Sequence, residues 1–400
     1  MAETIYVGRS LVIASANPIK SANVTVGVGS FTSNLTSGSL IVTSPLRALN
    51  LPLYTESATQ PSLASGGDEW FATSNASLFQ YSSGLWNLLV AFPIPVLYTF
   101  TSATFTPGGA TGQNGPVISQ ARSGLTGTPA PSGWSSTYLN MTTQGYQLWT
   151  VPDTGSYTIV AAGARGGNAS GYSGGNGRIV QATFSLTKSQ VLKILVGQEG
   201  SSHTWTGMGP TYGGSGGGGT FVTDNSNNIL VIGGGGGGPK NNSPWNAWAN
   251  GQAAPFANYG LTSTGAVGAS GGNGGSTSDP AGGGCSGGGG GGYSGNGQVT
   301  SACYIPTVAY SFLNGGVGGA YYNATYGSAG TGLGGFGGGG AAVWDNAFRP
   351  GGGGGYSGGG GSDCCSSAES GGGGGYYSSG TSTTNNGTNN GVGYVTITKV

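Results

Sequence analysis

In the stretch LVIGGGGGGPK, Leu230 to Lys240, an apolar run leads directly into six consecutive glycines, and no other feature limits the fold of this chain as strongly. Glycine loses more conformational entropy on ordering than any other residue, so such a run stays unfolded unless dense packing and hydrogen bonds hold it. Similar runs recur at Gly216–Gly219, Gly287–Gly292, Gly337–Gly340, Gly351–Gly355, Gly358–Gly361 and Gly371–Gly375. A flexible linker is rich in Gly and Ser without aromatic residues. Here most tracts are flanked by a bulky anchor: Phe221, Ile232, Tyr293, Phe336, Tyr356 or Tyr376. Six residues at a rise of about 3.1 Å make two turns of a threefold, polyproline-II-like helix roughly 19 Å long. Lacking side chains, such helices pack side by side and bond backbone to backbone. No strict Gly-x-y period is present, which excludes collagen. These tracts predict a lattice of packed polyglycine-II helices.

The glycines are unevenly distributed. Of 89 in the 400-residue chain, seven fall in the first 100 residues, nine in 101–160 and the other 73 beyond. The chain carries 11 basic and 11 acidic side chains, too few cations for an electrostatic footprint on nucleic acid. Aromatic residues make up 10% of it, which argues against disorder. Near the N-terminus, Glu3 and Asn17-Pro18 do not fit a classical signal peptide. The apolar run Leu85–Tyr98 is short and contains two prolines, so no transmembrane helix is expected. Eight Asn-x-Ser/Thr sequons run from Asn23 to Asn386, as a chain rich in Asn, Ser and Thr produces by chance.

The composition shift divides the chain into three segments, all mainly β. Residues 1–97 alternate short β-branched runs with Ser/Asn/Gly turns and read as a small β module for attachment or assembly. Within it, Leu51, Pro52, Tyr54, Gly67, Asp68, Phe71, Tyr81, Gly84 and Trp86 follow the order of a small module common in phage tail fibres and other virion proteins, which this stretch resembles.

Residues 98–160 open a β-sandwich whose strands continue to about 232, and residues 161–400 form the glycine-rich domain. In GYQLWTVPDTGSYTIV, two strands flank a turn in which Pro152 presets φ and Gly155 tolerates a positive value. Trp149, Val151, Pro152, Gly155 and Tyr157 lead to Gly163-Ala164 and Gly166-Gly167, then to Phe184, Leu186, ILVGQ (Ile194–Gln198) and Gly200. GGGGTFV (Gly216–Val222), GGFGGGG (Gly334–Gly340) and GGGGGYSGG (Gly351–Gly359) complete the series. This order resembles the TNF-like and glycine-rich extracellular module of the anaplastic lymphoma kinase and leukocyte tyrosine kinase receptors. The resemblance implies a TNF-like β-sandwich joined to polyglycine-II helices. It does not carry signalling, because no kinase segment is present and Ala341 stands where the family has a cysteine after GGFGGGG.

Sites of chemistry are few. Matches to G-x-G-x-x-G are trivial in such tracts, and GGGGGGPK lacks the Ser/Thr of a Walker motif. His203 is the only histidine and lies in a polar stretch, and the acidic residues are scattered, so no enzyme and no cofactor are expected. Cys285, Cys303, Cys364 and Cys365 lack paired C-x-x-C spacing, so no metal site is expected. All four are disulfide candidates with three possible pairings. A vicinal Cys364–Cys365 bond is disfavoured, because adjacent Cα atoms are about 3.8 Å apart against roughly 4.4–6.8 Å in a disulfide.

If the glycine helices form a rigid bundle, loops at its ends are the places for binding. Trp245, Trp248, Phe256 and Tyr259 in the Pro239–Leu261 segment, with Trp344, are candidates to stack on a sugar or fill a receptor's pocket; alternatively, they cover the bundle. Three functions follow from these readings. The first is a viral, phage-like fibre or spike that binds a host-surface receptor or glycan. It would sit on the virion surface with other virion proteins, as a homo-oligomer with a trimer favoured. The second is a structural virion or extracellular filament subunit with no receptor role. The third is a cellular surface or secreted binding module.

Overall fold

A computed structural model describes residues 54–62, 64, 66–72, 77–91, 96–169, 172–202, 213–240, 260–261, 268–277, 286–299, 307–321, 332–344, 348–362 and 370–400. It also describes the strand backbones at 6–7, 11–12, 22–26, 29–36 and 39–42. The fold is mainly β. It divides into two compact units, residues 1–95 and 96–400.

The first unit contains three small sheets. Strands β1 (Tyr6–Val7) and β2 (Leu11–Val12) pair antiparallel, and β3 (Ala22–Val26), β4 (Gly29–Thr36) and β5 (Ser39–Val42) form a meander. The third sheet has the order β6 (Tyr54–Ser57), β7 (Glu69–Ala72), β8 (Ser77–Ser82) and β9 (Leu85–Ala91). Its β8–β9 turn places Gly84 at φ +82°, a value a side chain disfavours. Trp70, Phe79, Tyr81 and Trp86 share one face, with Trp70 stacked on Phe79 at 5.0 Å.

The second unit is built on two six-stranded antiparallel sheets. Its early strands are β10 (Ser102–Phe105), β11 (Thr126–Thr128), β12 (Leu139–Asn140), β13 (Tyr146–Thr150), β14 (Gly155–Ala162) and β15 (Gly177–Leu186). They are followed by β16 (Val191–Leu195), β17 (Thr220–Asp224) and β18 (Ile229–Gly233). A short hairpin, β19 (Val343–Trp344) with β20 (Phe348–Arg349), precedes β21 (Tyr377–Ser378), β22 (Thr381–Asn389) and β23 (Tyr394–Lys399). The first sheet runs β11-β10-β23-β14-β15-β22 and the second β12-β13-β16-β17-β18-β21. Two short helices, α1 (Ile118–Ser123) and α2 (Ser135–Tyr138), fill the connection between β10 and β13.

The two sheets share one core, which makes them a sandwich. The first sheet contributes Phe105, Tyr157, Ile159, Val180 and Ile397; the second contributes Trp149, Leu192, Ile194, Val222 and Val231. Trp149 is fully buried, with ring centroids of Phe100 and Tyr157 at 5.1 and 6.1 Å. In the first sheet the burial alternates along β10, β14 and β23, as expected when the other face meets solvent. In the second sheet β17 and β18 are buried on both faces, which explains the unbroken apolar runs TFV and ILVI.

The second face of that sheet meets the glycine tracts. Tyr146, Leu195, Phe221 and Ile232 project from it onto Phe312 and Phe336, with Tyr293, Tyr356 and Tyr377 packed around them. Five of the six anchors expected from the sequence therefore gather in one cluster, while Tyr376 packs against the sandwich core. Phe312 is at the centre, stacked on Phe221 at 5.0 Å and on Tyr293 at 5.6 Å.

Candidate binding site at one end of the glycine lattice

The hydrogen bonds of the tract Gly351–Gly355 define the lattice. Gly351 and Gly354 donate to the carbonyls of Gly214 and Gly217; Gly352 and Gly355 donate to Gly288 and Gly291; Gly353 and Tyr356 donate to Gly372 and Gly375. Each neighbour is met every third residue, the period of a polyproline-II helix. In return, Gly235 and Gly238 donate to Gly354 and Gly351, Gly340 donates to Gly352, and Gly359 and Ser362 donate to Gly353 and Pro350. Three neighbours are reached through N–H groups and three through carbonyls, so this tract sits at the centre of six others. The polyglycine-II packing expected from the sequence is present.

The packing leaves no room for side chains. A Cβ on Gly353 would stand 2.2 Å from the Gly235 carbonyl oxygen, on Gly352 2.1 Å from that of Gly359, and on Gly236 1.8 Å from that of Gly175. None of these three has positive φ, so close backbone approach, not backbone conformation, demands glycine.

The register also fixes direction. Tracts starting at Gly214, Gly287 and Gly371 run with Gly351–Gly355, whereas those ending at Ser201, Gly238, Ser276, Ala341 and Ser362 run against it. At the end facing the sandwich, the connections are tight turns at Gly271-Gly272, Tyr293–Gly295, Phe312–Gly316, Gly337-Gly338 and Tyr356-Ser357, or pass directly into β15, β17 and β21. They are tied down by two phenols: Tyr146 donates to the Phe312 carbonyl and Tyr293 to that of Asn227. Burial pushes both phenols up from their ordinary ionisation range.

The opposite end differs. Described descending segments stop at Ser202, Lys240, Thr277, Val299, Tyr321 and Ser362, and described ascending ones begin at Gly213, Ser286, Thr307, Gly332 and Ser370. The stretches bounded by these residues lie outside the described residues; all but the one after Lys240 both leave from and return to this side of the lattice, whereas that one resumes at Gly260, which donates to the Ala269 carbonyl two residues before the turn at Gly271-Gly272. The flanks are held by hydroxyls and by a backbone bridge. Ser201 Oγ lies 3.2 Å from Ser215 Oγ and accepts the Leu333 N–H, while Ser215 Oγ accepts that of Ala342. Lys240 bridges to Gly213, and both Lys240 and Arg349 are buried.

Of the site residues expected from the sequence, Trp245, Trp248, Phe256 and Tyr259 lie outside the described residues, as do Cys285, Cys303, Cys364, Cys365 and His203. The segment holding the first four leaves the lattice after Lys240, at the end opposite the sandwich. Trp344 is placed by its backbone, paired with Phe348 in the β19–β20 hairpin at that same end, next to a small buried cluster of Tyr321, Ala341 and Val343. Sequence reading did not identify Lys240 and Arg349 as buried residues of this end; their neighbours Pro239, which ends one tract, and Pro350, which opens another, mark the place.

No protein-family model matches the chain. A 98-residue stretch, 24% of the chain, is 38% identical to the leukocyte tyrosine kinase receptor of Mus musculus and spans 11% of that receptor's length. The chain is thus a partial and distant relative of that receptor, over about a quarter of its own length.

Proposed function

We propose that the chain is a phage-like viral fibre or spike protein whose sandwich-and-lattice unit presents loops that bind a host-surface receptor or glycan. A difference between the two ends of the lattice supports this reading: among the described residues the sandwich-side connections are tight turns, while the chain leaves from the other end at Ser202, Lys240, Thr277, Val299, Tyr321 and Ser362. Connections on a rigid support can carry recognition chemistry without disturbing the fold, which is where binding residues concentrate in proteins generally. Trp245, Trp248, Phe256, Tyr259 and Trp344 supply large flat apolar surfaces, the side chains that dominate binding energy at interfaces. No catalytic step is assigned to them.

The viral part of the reading rests on the residue order from Leu51 to Trp86. A virion-surface location and other virion proteins as partners follow from it. A cell-surface or secreted binding module is the second reading, favoured by the similarity to a receptor. Both readings put the partner at the same end of the lattice. The test is binding of the purified chain to a panel of bacterial and eukaryotic cells, with Trp245→Ala/Trp248→Ala alongside. The double variant is expected to lose at least about tenfold in binding with an unchanged circular dichroism spectrum. Undiminished binding by the variant would overturn the proposal, and the cell type bound separates its viral and cellular forms.

A further inference from the structure

We propose that strand β9 is a self-association strand, pairing antiparallel with β9 of a second copy of this chain about a twofold axis. Among the described residues, strand β9 is an edge of its sheet and pairs only with β8. An edge strand presents a row of free backbone donors and acceptors, and proteins that stay single blunt such edges with charge, proline or shortness. The opposite edge is blunted in this way, since β6 is only four residues long and carries Glu56. Strand β9, LWNLLVA, has seven residues with neither charge nor proline.

Its side chains are exposed where a monomer would hide them. Leu85, Leu88 and Leu89 are 68%, 57% and 49% exposed. Leu88 stands opposite Phe79 and so extends the aromatic face of Trp70, Phe79, Tyr81 and Trp86 to an open border. Leu85 stands opposite Ser82 on the other face, and Leu89 is the unmatched residue where the register slips between Leu78 and Phe79. The regular part, Leu85–Leu88, is therefore free to take another strand. In the described part of this sheet only Trp70 and Ala72 are buried apolar residues, too little for a sheet left uncovered on both sides.

The occupant is a second copy because the strand is self-complementary. An uncharged strand meets itself antiparallel with no like charges opposed, and Leu88 of each copy then extends the aromatic face of the other. This inference concerns the first unit and does not depend on the proposed receptor function, which concerns the second: particle mass tests one and cell binding the other.

The experiment is sedimentation velocity on the full chain at tens of micromolar, with Leu88→Lys and, as a control, Thr384→Lys on exposed strand β22. The wild type and the control are expected at twice the 39.0 kDa chain mass. Leu88→Lys is expected at the single mass, with the dimer weakened at least about tenfold. Amide hydrogen exchange of 85–91 should be slow in the wild type and fast in Leu88→Lys, while 77–82 stays protected in both, which shows that the sheet still folds. A wild type of single mass overturns the proposal. So does a mass three times that of the chain, which twofold pairing cannot build, or a dimer that Leu88→Lys leaves intact.

Discussion

The sandwich core and the glycine lattice belong to one folded unit and exclude water by opposite means. In the sandwich, large side chains such as Trp149, Tyr157 and Ile397 fill the space between two sheets. In the central tracts of the lattice, such as Gly351–Gly355, there are no side chains, and the backbone is itself the interior. The sandwich depends on volume, so it suffers when atoms are removed. The lattice depends on closeness, so it suffers when a single methyl group is added. The aromatic cluster around Phe312 joins the two, with side chains of the sheet on one side and glycine turns on the other.

The largest effect that follows from this contrast is expected for Gly353→Ala. Its Cβ would meet the backbone of Gly235 and Gly236, which cannot rotate away, and a loss of about 5 kcal/mol or more in denaturant unfolding is expected. Gly155→Ala is the matching control, because its Cβ meets only the end of the Lys399 side chain at 3.4 Å. It should stay within about 0.5 kcal/mol of wild type. Equal stability of the two variants would remove the distinction between the regions. Trp149→Ala comes next, at about 4 kcal/mol for a cavity in a closed core. If Trp149→Ala cost less than Gly155→Ala, the sandwich would not be the side-chain-filled layer described above.

Alkali separates the regions without mutation, because the glycine tracts themselves carry no titrating group while the sandwich and the joint hold buried tyrosines. Burial raises the phenols of Tyr98, Tyr146, Tyr157 and Tyr293, that of Tyr157 to about 12, against 10.0 for an ordinary tyrosine. Between these values the folded chain holds more protons than the unfolded one. Stability is therefore unaffected below pH 10 and falls as pH rises from 10 toward 12. Tyrosinate absorbance should rise together with loss of near-ultraviolet circular dichroism; ionisation of these four residues at pH 10 in an intact fold would contradict it. The smallest effect is expected at the surface, where Lys399 pairs with Asp153. Lys399→Ala should cost less than about 1 kcal/mol, and less again at high salt.

Much of this arrangement was legible in the sequence because glycine, aromatic and β-branched residues carry local signals. The anchors Phe221, Ile232, Tyr293, Phe336 and Tyr356 could be picked out because each stands beside a tract, and they meet in one cluster. Phe312 was missed, because it sits in a turn and no glycine run adjoins it. The sandwich was read as ending near 232, and three more strands from 377–399 join its sheets. Strand β23 does carry an alternating pattern, with Val395 and Ile397 inward, whereas β22 is a polar edge with no apolar period to read. That β23 lies between β10 and β14 is a long-range fact that no local pattern encodes. At the candidate site, the sequence offered aromatic residues without a place; the lattice register gives only the end at which their segment departs, after Lys240.

The position of β23 sets a timetable for the chain. Thr104 and Thr396 face each other across strands β10 and β23, 292 positions apart in sequence. At synthesis rates of about 5–20 residues per second, roughly 15–60 seconds pass between the making of these two strands. Throughout that interval β10 and β14 lack the strand that lies between them, and their inner side chains have no finished core to enter. The unit therefore closes only after nearly all of it has been made, and any helper that shields nascent chains has its longest task here.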